Sequence, residues 1–190
     1  MVNRDTSNRD EKRVVLENLV NDTPCCSGIL VDRGFGQKLE KEQRLAMFYI
    51  GGPDDREALS YAWRMSRNLD VQLTVVRLIW DNPNAKYDET DDGYLRCFRN
   101  QNLDIASVRY LERIVKDESE TVALLNKMGA QGFDLSIIGR GHGRVALAQT
   151  LDPVLEEPAL SPLGDALADL NTAAETSILI IQTQASEYIG

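Results

Sequence analysis

Hydrophobic residues follow two alternating patterns from residue 44 to the end of the chain. Short, nearly continuous apolar runs are typical of strands covered on both faces, and apolar residues at intervals of three and four predict helices. The predicted strands are 46–50, 71–80, 107–115, 135–139 and 176–182. The predicted helices are 54–68, 94–102, 117–132 and 163–170. This alternation predicts an α/β fold, a doubly wound five-stranded parallel sheet with right-handed crossovers.

The first strand and the first helix of this unit are joined by two glycines, Gly51 and Gly52, which allow a sharp turn. Asp54 is predicted to be the N-cap of the helix, because Glu57 follows it at the spacing of a capping box. Asp117 begins the third helix with the same spacing to a glutamate. Both helices are therefore expected to start at a capping aspartate.

The predicted topology also locates a candidate binding rim. A topological switch point is expected between strands 46–50 and 135–139, and ligands of such sheets bind at the carboxyl ends of the strands beside it. Those ends carry the sequences GGPDD at 51–55 and GRGHG at 139–143. The two glycine-bearing loops are thus predicted to share one rim of the sheet.

Two further elements precede this unit. Apolar periodicity predicts a helix over 11–22, and the short run GILV predicts a strand over 27–32. The charged sequence KLEKEQR over 38–44 then leads to the first strand of the sheet, and we interpret it as a solvated linker.

Composition narrows the function classes. The hydrophobic fraction of 43% is ordinary for a globular protein, and the net charge of −9 argues against nucleic acid or an anionic membrane surface as the main partner. No apolar run approaches the roughly 18 residues that a membrane span needs. Cys25, Cys26 and Cys97 form no C-x-x-C motif, so we expect small apolar filler residues in a reduced, cytosolic setting.

Several separated motifs carry a resemblance to a known family. They are FYIGGPDDREAL at 48–59, AWRM at 62–65, TV at 121–122, DL at 134–135, GRG at 139–141 and LGD at 163–165, with VLEN at 15–18, PC at 24–25 and GILVDRG at 28–34 upstream. In these motifs and their order, the chain resembles the cytosolic C-terminal region of plant cation/proton exchangers of the CHX type.

The resemblance implies a particular architecture. In this family the region consists of two lobes, each similar to a universal stress protein. Residues 1–43 would then hold the closing helix and strand of a first lobe plus the linker, and residues 44–190 would form the second lobe. Universal stress proteins commonly dimerise through their last strands, so strand 28–32 is expected to lie antiparallel against strand 177–182 and extend the sheet edge. Homodimerisation through the sheet edge is a further expectation of the same analogy.

The resemblance also implies a function. It indicates a non-enzymatic, cytosolic regulatory domain of a monovalent cation (potassium)/proton antiporter, involved in cation transport and pH homeostasis. The implied partner is the membrane transporter domain or a companion lobe. The implied location is the cytoplasmic side of an endomembrane or the plasma membrane, with this chain alone soluble.

The alternative is a free-standing adenine-nucleotide-binding sensor of the universal stress protein type. ATP-binding members of that class place Gly-x-x-Gly nine residues before Gly-Ser or Gly-Thr, whereas here the glycines after residue 138 are spaced by two and Asp165 follows Gly164. A phosphate needs bare backbone N–H groups, and carboxylates crowd this rim, so we expect no cofactor. The residues that would bind a nucleotide in the alternative are Gly51, Gly52, Gly139, Arg140, Gly141, His142, Gly143 and Gly164.

Other chemistry is not indicated. The acidic loop 88–93 has the start of a calcium loop, but its twelfth position is Arg99 instead of a bidentate glutamate, so we interpret the loop as solvated and expect no metal site. No nucleophile elbow is present, and we expect no catalytic residues and no enzyme activity. His142, the only histidine, suits either pH sensing or a surface position without a task.

Overall fold

One mixed six-stranded sheet organises the part of the chain that the computed structural model describes, residues 25–38, 42–81, 88–129, 131–141 and 176–183. The strands are β1 (Ser27–Val31), β2 (Gln43–Tyr49), β3 (Val71–Trp80), β4 (Val108–Val115), β5 (Leu135–Gly139) and β6 (Ser177–Gln182). The helices are α1 (Pro53–Met65), α2 (Glu89–Gln101) and α3 (Glu118–Gly129), and a 3-10 turn spans Phe35–Lys38. The helices predicted over 11–22 and 163–170 lie outside the described residues.

The strand order is β1-β6-β5-β2-β3-β4. Strands β2 to β6 are mutually parallel, which confirms the predicted five-stranded parallel sheet. β2 lies between β5 and β3, so the order reverses between β2 and β5, where the sequence places the switch point. The carboxyl ends of β2 and β5 therefore lie next to each other.

The two faces of the sheet have separate cores. Leu45, Met47 and Tyr49 of β2 are fully buried on the face that α1 and α2 cover. The alternate residues Ala46 and Phe48 are buried on the face that α3 covers. Because side chains alternate across a strand, covering both faces requires a continuous apolar run, and this is why β2 has one.

β1 extends the sheet beside β6. It pairs antiparallel with β6, with Ile29 opposite Ile180, and this confirms the pairing that the resemblance implied. At one end of this pair, the Ser177 hydroxyl accepts a hydrogen bond from Arg33 N (2.8 Å) and donates one to the Asp32 carboxylate (3.2 Å). The apolar residues of β6 therefore do not form a sheet edge.

Several local predictions are wrong. Arg44 belongs to β2 instead of a linker, and α2 begins at Glu89, five residues before its predicted start. Leu69, whose spacing from Ala62 continues the apolar pattern of the predicted helix, lies beyond the end of α1 and is 96% exposed. The three cysteines are exposed, so they do not act as apolar filler. Among the described residues, no helix has the length and apolar character needed to cross a membrane.

Candidate functional site

The two glycine-bearing loops share one rim, as their positions in the sequence predict. Phe48 near the end of β2 is paired with Ile138 near the end of β5. Gly51 and Gly52 follow β2 with φ angles of 139° and 99°. Residues that have a side chain rarely adopt such values, and this explains why the turn into α1 needs glycine. Gly139 ends β5 beside the start of α1.

Asp55 joins the two loops through its buried carboxylate. Its Oδ2 accepts hydrogen bonds from Ile50 N and Gly51 N, both at 2.7 Å, and its Oδ1 accepts one from Gly139 N at 2.9 Å. A single side chain in the first turn of α1 thus fixes the ends of both β2 and β5. The approach is so close that a Cβ built on Gly139 would lie 2.5 Å from the Asp55 backbone nitrogen, which leaves room only for glycine.

Asp54 makes a second set of contacts on the β6 side of the rim. Its Oδ1 accepts from the Thr183 backbone N at 2.8 Å and from the Thr183 hydroxyl at 2.6 Å, and its Oδ2 accepts from Gly141 N at 3.1 Å. Asp54 is 2% exposed. It therefore joins α1 to the residues that follow β5 and β6.

Asp91 closes the rim from α2. It is buried, and it accepts hydrogen bonds from the Tyr49 hydroxyl and Gly52 N, both at 2.9 Å. Its Oδ1 also lies 2.5 Å from Nη1 of Arg56 in an ion pair. The start of α2 is thereby attached to the turn between β2 and α1.

These contacts correct two predictions. The N-cap of α1 is Gly52 with no side-chain cap, so Asp54 is not a cap and no capping box forms with Glu57. The helix begins instead at Pro53, a residue favoured at the first helical position. The acidic loop is not solvated throughout, since Asp91 is buried in α2. The sequence signal for this earlier helix start was Asp88, which caps α2 by accepting a hydrogen bond from Thr90 N at 3.0 Å.

The rim therefore satisfies its own backbone donors. The N–H groups of Gly51, Gly52, Gly139 and Gly141, which a phosphate would use, all donate to carboxylates of the chain. Arg140 lies at the same end of the sheet, where its guanidinium donates to Gln182 Oε1 at 2.6 Å. The other residues of the nucleotide alternative, His142, Gly143 and Gly164, lie outside the described residues.

The electrostatics of the rim follow from burial. Removal from water raises the pKa of Asp55 from its ordinary 3.8 to about 6, against the opposing effect of its three backbone N–H donors. Burial and the negative charge of Asp91 raise the pKa of the Tyr49 hydroxyl well above its usual range, so this group stays a hydrogen-bond donor. Within the described ranges, no three His, Cys, Asp or Glu side chains are placed to hold a metal ion.

Known proteins resemble this chain in fold and in sequence. A universal stress protein from Archaeoglobus fulgidus DSM 4304 has a similar fold, with a TM-score of 0.52 at 17% identity over 91% of this chain and 55% of that one. Cation/H(+) antiporter 15 of Arabidopsis thaliana is 36% identical over 205 residues, which cover 94% of this chain and 24% of the relative. Cation/H(+) antiporter 23, chloroplastic, from the same plant is 35% identical over 188 residues, covering 87% of this chain and 22% of the relative.

This chain thus spans about a quarter of the length of the antiporters that it matches. The family model for the plant cation/H(+) antiporter C-terminal domain matches residues 42–182, which include β2 to β6 and the whole rim except Thr183. By this match and by its identity to the Arabidopsis antiporters, the chain belongs to the family of plant cation/H(+) antiporter C-terminal domains.

Proposed function

We propose that this chain is a non-enzymatic regulatory domain of a monovalent cation/proton antiporter, with potassium as the cation and pH homeostasis as the role. The domain lies on the cytoplasmic side of the membrane and acts by docking, either on the transporter or on a companion lobe of the same fold. Family membership supports the antiporter setting, and the filled rim supports docking as the mechanism.

One observation carries the proposal: the rim where such folds bind ligands is occupied by carboxylates of the chain itself. Asp54, Asp55 and Asp91 together accept the N–H groups of the four rim glycines, Gly51, Gly52, Gly139 and Gly141. A nucleotide phosphate would have to displace these bonds and would approach buried negative charges. This arrangement favours a domain that works through its surface over a domain that senses a nucleotide.

The same contacts support a non-enzymatic role. Buried carboxylates are frequent general acids and bases, but such a group needs a hydrogen-bonding position open to a substrate proton. Both oxygens of Asp55 accept from backbone N–H groups, and Asp91 is paired with Arg56 and Tyr49. The geometry therefore supports a structural task for these carboxylates.

The position of β1 supports a companion lobe as a partner. β1 lies outside the segment that the family model matches, yet it completes the sheet beside β6. An element that precedes the domain is thus built into its edge. A lobe whose chain leads into β1 would lie against this domain. The position of that lobe would be linked to the rim through β6 and Thr183.

The test uses an antiporter that carries this chain as its C-terminal region. Proton-coupled potassium flux is measured in membrane vesicles over a range of pH for the intact protein, for a protein lacking the region, and for Asp91→Asn with Glu89→Gln as its control. We expect deletion of the region and Asp91→Asn each to alter the rate or the pH dependence of flux at equal membrane abundance. Glu89→Gln is expected to leave both unchanged. Identical flux without the region would contradict a regulatory role.

The nucleotide alternative has its own test. Thermal unfolding of the purified chain is followed with ATP, AMP and cyclic AMP. We expect the same melting temperature in every case, because the glycine amides already have acceptors. A saturable rise in melting temperature would favour the sensor instead.

A further inference from the structure

Three large aliphatic side chains are exposed at one end of the sheet. Leu69 in the turn between α1 and β3 is 96% exposed, and Leu103 and Ile105 in the turn between α2 and β4 are 76% and 43% exposed. The two turns are neighbours, because β3 and β4 pair and Leu73 N donates to Ser107 O at 2.8 Å. Burying such residues is favourable, so this end of the molecule is suited to contact with an apolar phase.

Arginines flank these two turns. Arg64 and Arg67 lie at the end of α1, and their guanidinium carbons lie 4.3 Å from the centre of the Tyr61 ring and 5.7 Å from that of Trp63. Arg99 in the last turn of α2 lies 4.8 Å from the centre of the Tyr110 ring. Stacking positions the guanidinium group and leaves its N–H edges to face outward. Nη2 of Arg64 also lies 3.7 Å from Glu57 Oε1, so Arg67 and Arg99 are the main phosphate-binding candidates. We define the amino-end patch, named after the amino ends of β3 and β4 beside it, as Arg64, Arg67, Leu69, Arg99, Leu103 and Ile105.

The charge of the described residues is unevenly distributed between the two ends of the sheet. A cleft of about 100 Å³ beside the turns is lined by two further arginines, Arg44 and Arg109. The acids of the two turns are Asp70 and Asp104, and Glu42 and Asp134 precede β2 and β5 at the same end, so four acids there compare with the five arginines named above. The opposite end carries the buried carboxylates of the rim and the acidic first turn of α2. The overall charge of −9 therefore does not describe the amino-end patch.

We propose that the amino-end patch docks this domain on the anionic surface of a membrane. Its arginines bind lipid phosphates, and its three aliphatic side chains enter the headgroup region, in the manner of other peripheral membrane contacts. With the patch on the membrane, the acid-rich rim points away from the anionic surface.

The shape of the patch favours a bilayer over an acidic protein as the partner. Its apolar residues protrude from turns, and Leu69 is almost fully exposed, as expected of side chains that insert into a lipid interface. The proposal rests on the proposed function only for the nearness of a bilayer. Binding to vesicles can fail while the antiporter flux test succeeds, and the reverse also holds, so the two failures are distinguishable.

The test is flotation of the purified 190-residue chain with vesicles of phosphatidylcholine, with and without phosphatidylserine. We expect binding only to the anionic vesicles and weaker binding at raised salt. Arg67→Gln is expected to lower the partition coefficient about fivefold, and Leu69→Asn by about tenfold. The matched controls Arg96→Gln and Ile114→Asn change exposed residues outside the patch, and they are expected to bind like the unchanged chain.

Each other outcome overturns the proposal. Absence of binding to anionic vesicles would do so, as would equal losses in the patch variants and their controls. Displacement from the vesicles by soluble polyglutamate at a matching charge concentration would assign the patch to an acidic protein. The melting temperature of each variant is measured alongside, and Leu69 and Arg67 are exposed, so their replacement is expected to leave it unchanged.

Discussion

Asp91 gives the sharpest stability prediction, because the sequence placed it in a solvated loop and the structure buries it. Replacing it with alanine removes the acceptor of two buried donors, the Tyr49 hydroxyl and Gly52 N, and the ion-pair partner of Arg56. Each orphaned donor costs about 1–3 kcal/mol. The lost ion pair adds little, because the Arg56 side chain is 23% exposed and keeps Asp88 at 4.0 Å. We therefore expect Asp91→Ala to lower the free energy of unfolding by about 2–6 kcal/mol.

The assay is urea unfolding followed by circular dichroism, which gives the free energy of unfolding directly. Asp91→Asn retains one acceptor oxygen and is expected to lose about half as much, so it remains measurable if the alanine variant does not fold. Glu89→Gln, an exposed change two residues earlier in α2, is the control and is expected to stay within about 0.5 kcal/mol of the unchanged chain. An effect of Asp91→Asn as small as that of Glu89→Gln would show that the carboxylate is solvated and would refute the reasoning.

A double-mutant cycle then isolates one contact. Tyr49→Phe removes the buried hydroxyl, which costs about 1 kcal/mol when Asp91 is present to accept its hydrogen bond. In the Asp91→Ala background the hydroxyl has lost this acceptor, so its removal is expected to be neutral or stabilising. The coupling energy is therefore expected to be at least about 1 kcal/mol, and a value near zero would contradict a direct contact.

Three further predictions follow from the fold. The pKa of Asp55 is raised to about 6, so its contribution to stability is present below pH 3.8 and is lost as the pH rises through 6. In urea unfolding, the free energy of unfolding of the unchanged chain should rise by about 1.4 kcal/mol relative to that of Asp55→Asn between pH 7.5 and pH 5, and parallel pH curves would oppose this. Gly139→Ala places a Cβ against the Asp55 carboxylate and should cost more than about 2 kcal/mol, whereas Gly93→Ala, exposed within α2 with open space around its Cβ, should stabilise by about 0.5–1 kcal/mol. Similar effects at both glycines in thermal unfolding would count against the close approach at Gly139. A chain shortened to residues 42–190 leaves β6 without β1 and should dimerise or aggregate, and a stable monomer in light scattering would show that β1 is dispensable.

The strands could be predicted from the sequence because their signal is local. Both faces of β2 and β5 are covered, so most of their residues are apolar, and the strand over 135–139 was predicted with its observed bounds. The cap at Asp117 was also local, since its carboxylate accepts from Glu120 N, three residues away, at 2.9 Å. Such contacts depend only on spacing along the chain.

The role of the rim carboxylates could not be predicted in this way. Asp54 and Asp55 bind Thr183 and Gly139, which lie 129 and 84 positions away in the sequence. Spacing that resembled a capping box suggested a local partner, while the tertiary structure supplied distant ones. Pro53, the first residue of α1, was the local signal that the helix cap is Gly52, two residues before the predicted cap at Asp54.

The central claim is that the glycine amides of the rim are already bound by carboxylates of the chain. Nuclear magnetic resonance of the nitrogen-15-labelled chain tests it most directly, by following the amide signals of Gly51, Gly52, Gly139 and Gly141 during hydrogen exchange and during titration with magnesium–ATP. We expect slow exchange for these four amides and no change in their signals with the nucleotide. Fast exchange together with saturable shifts of the four signals would contradict it.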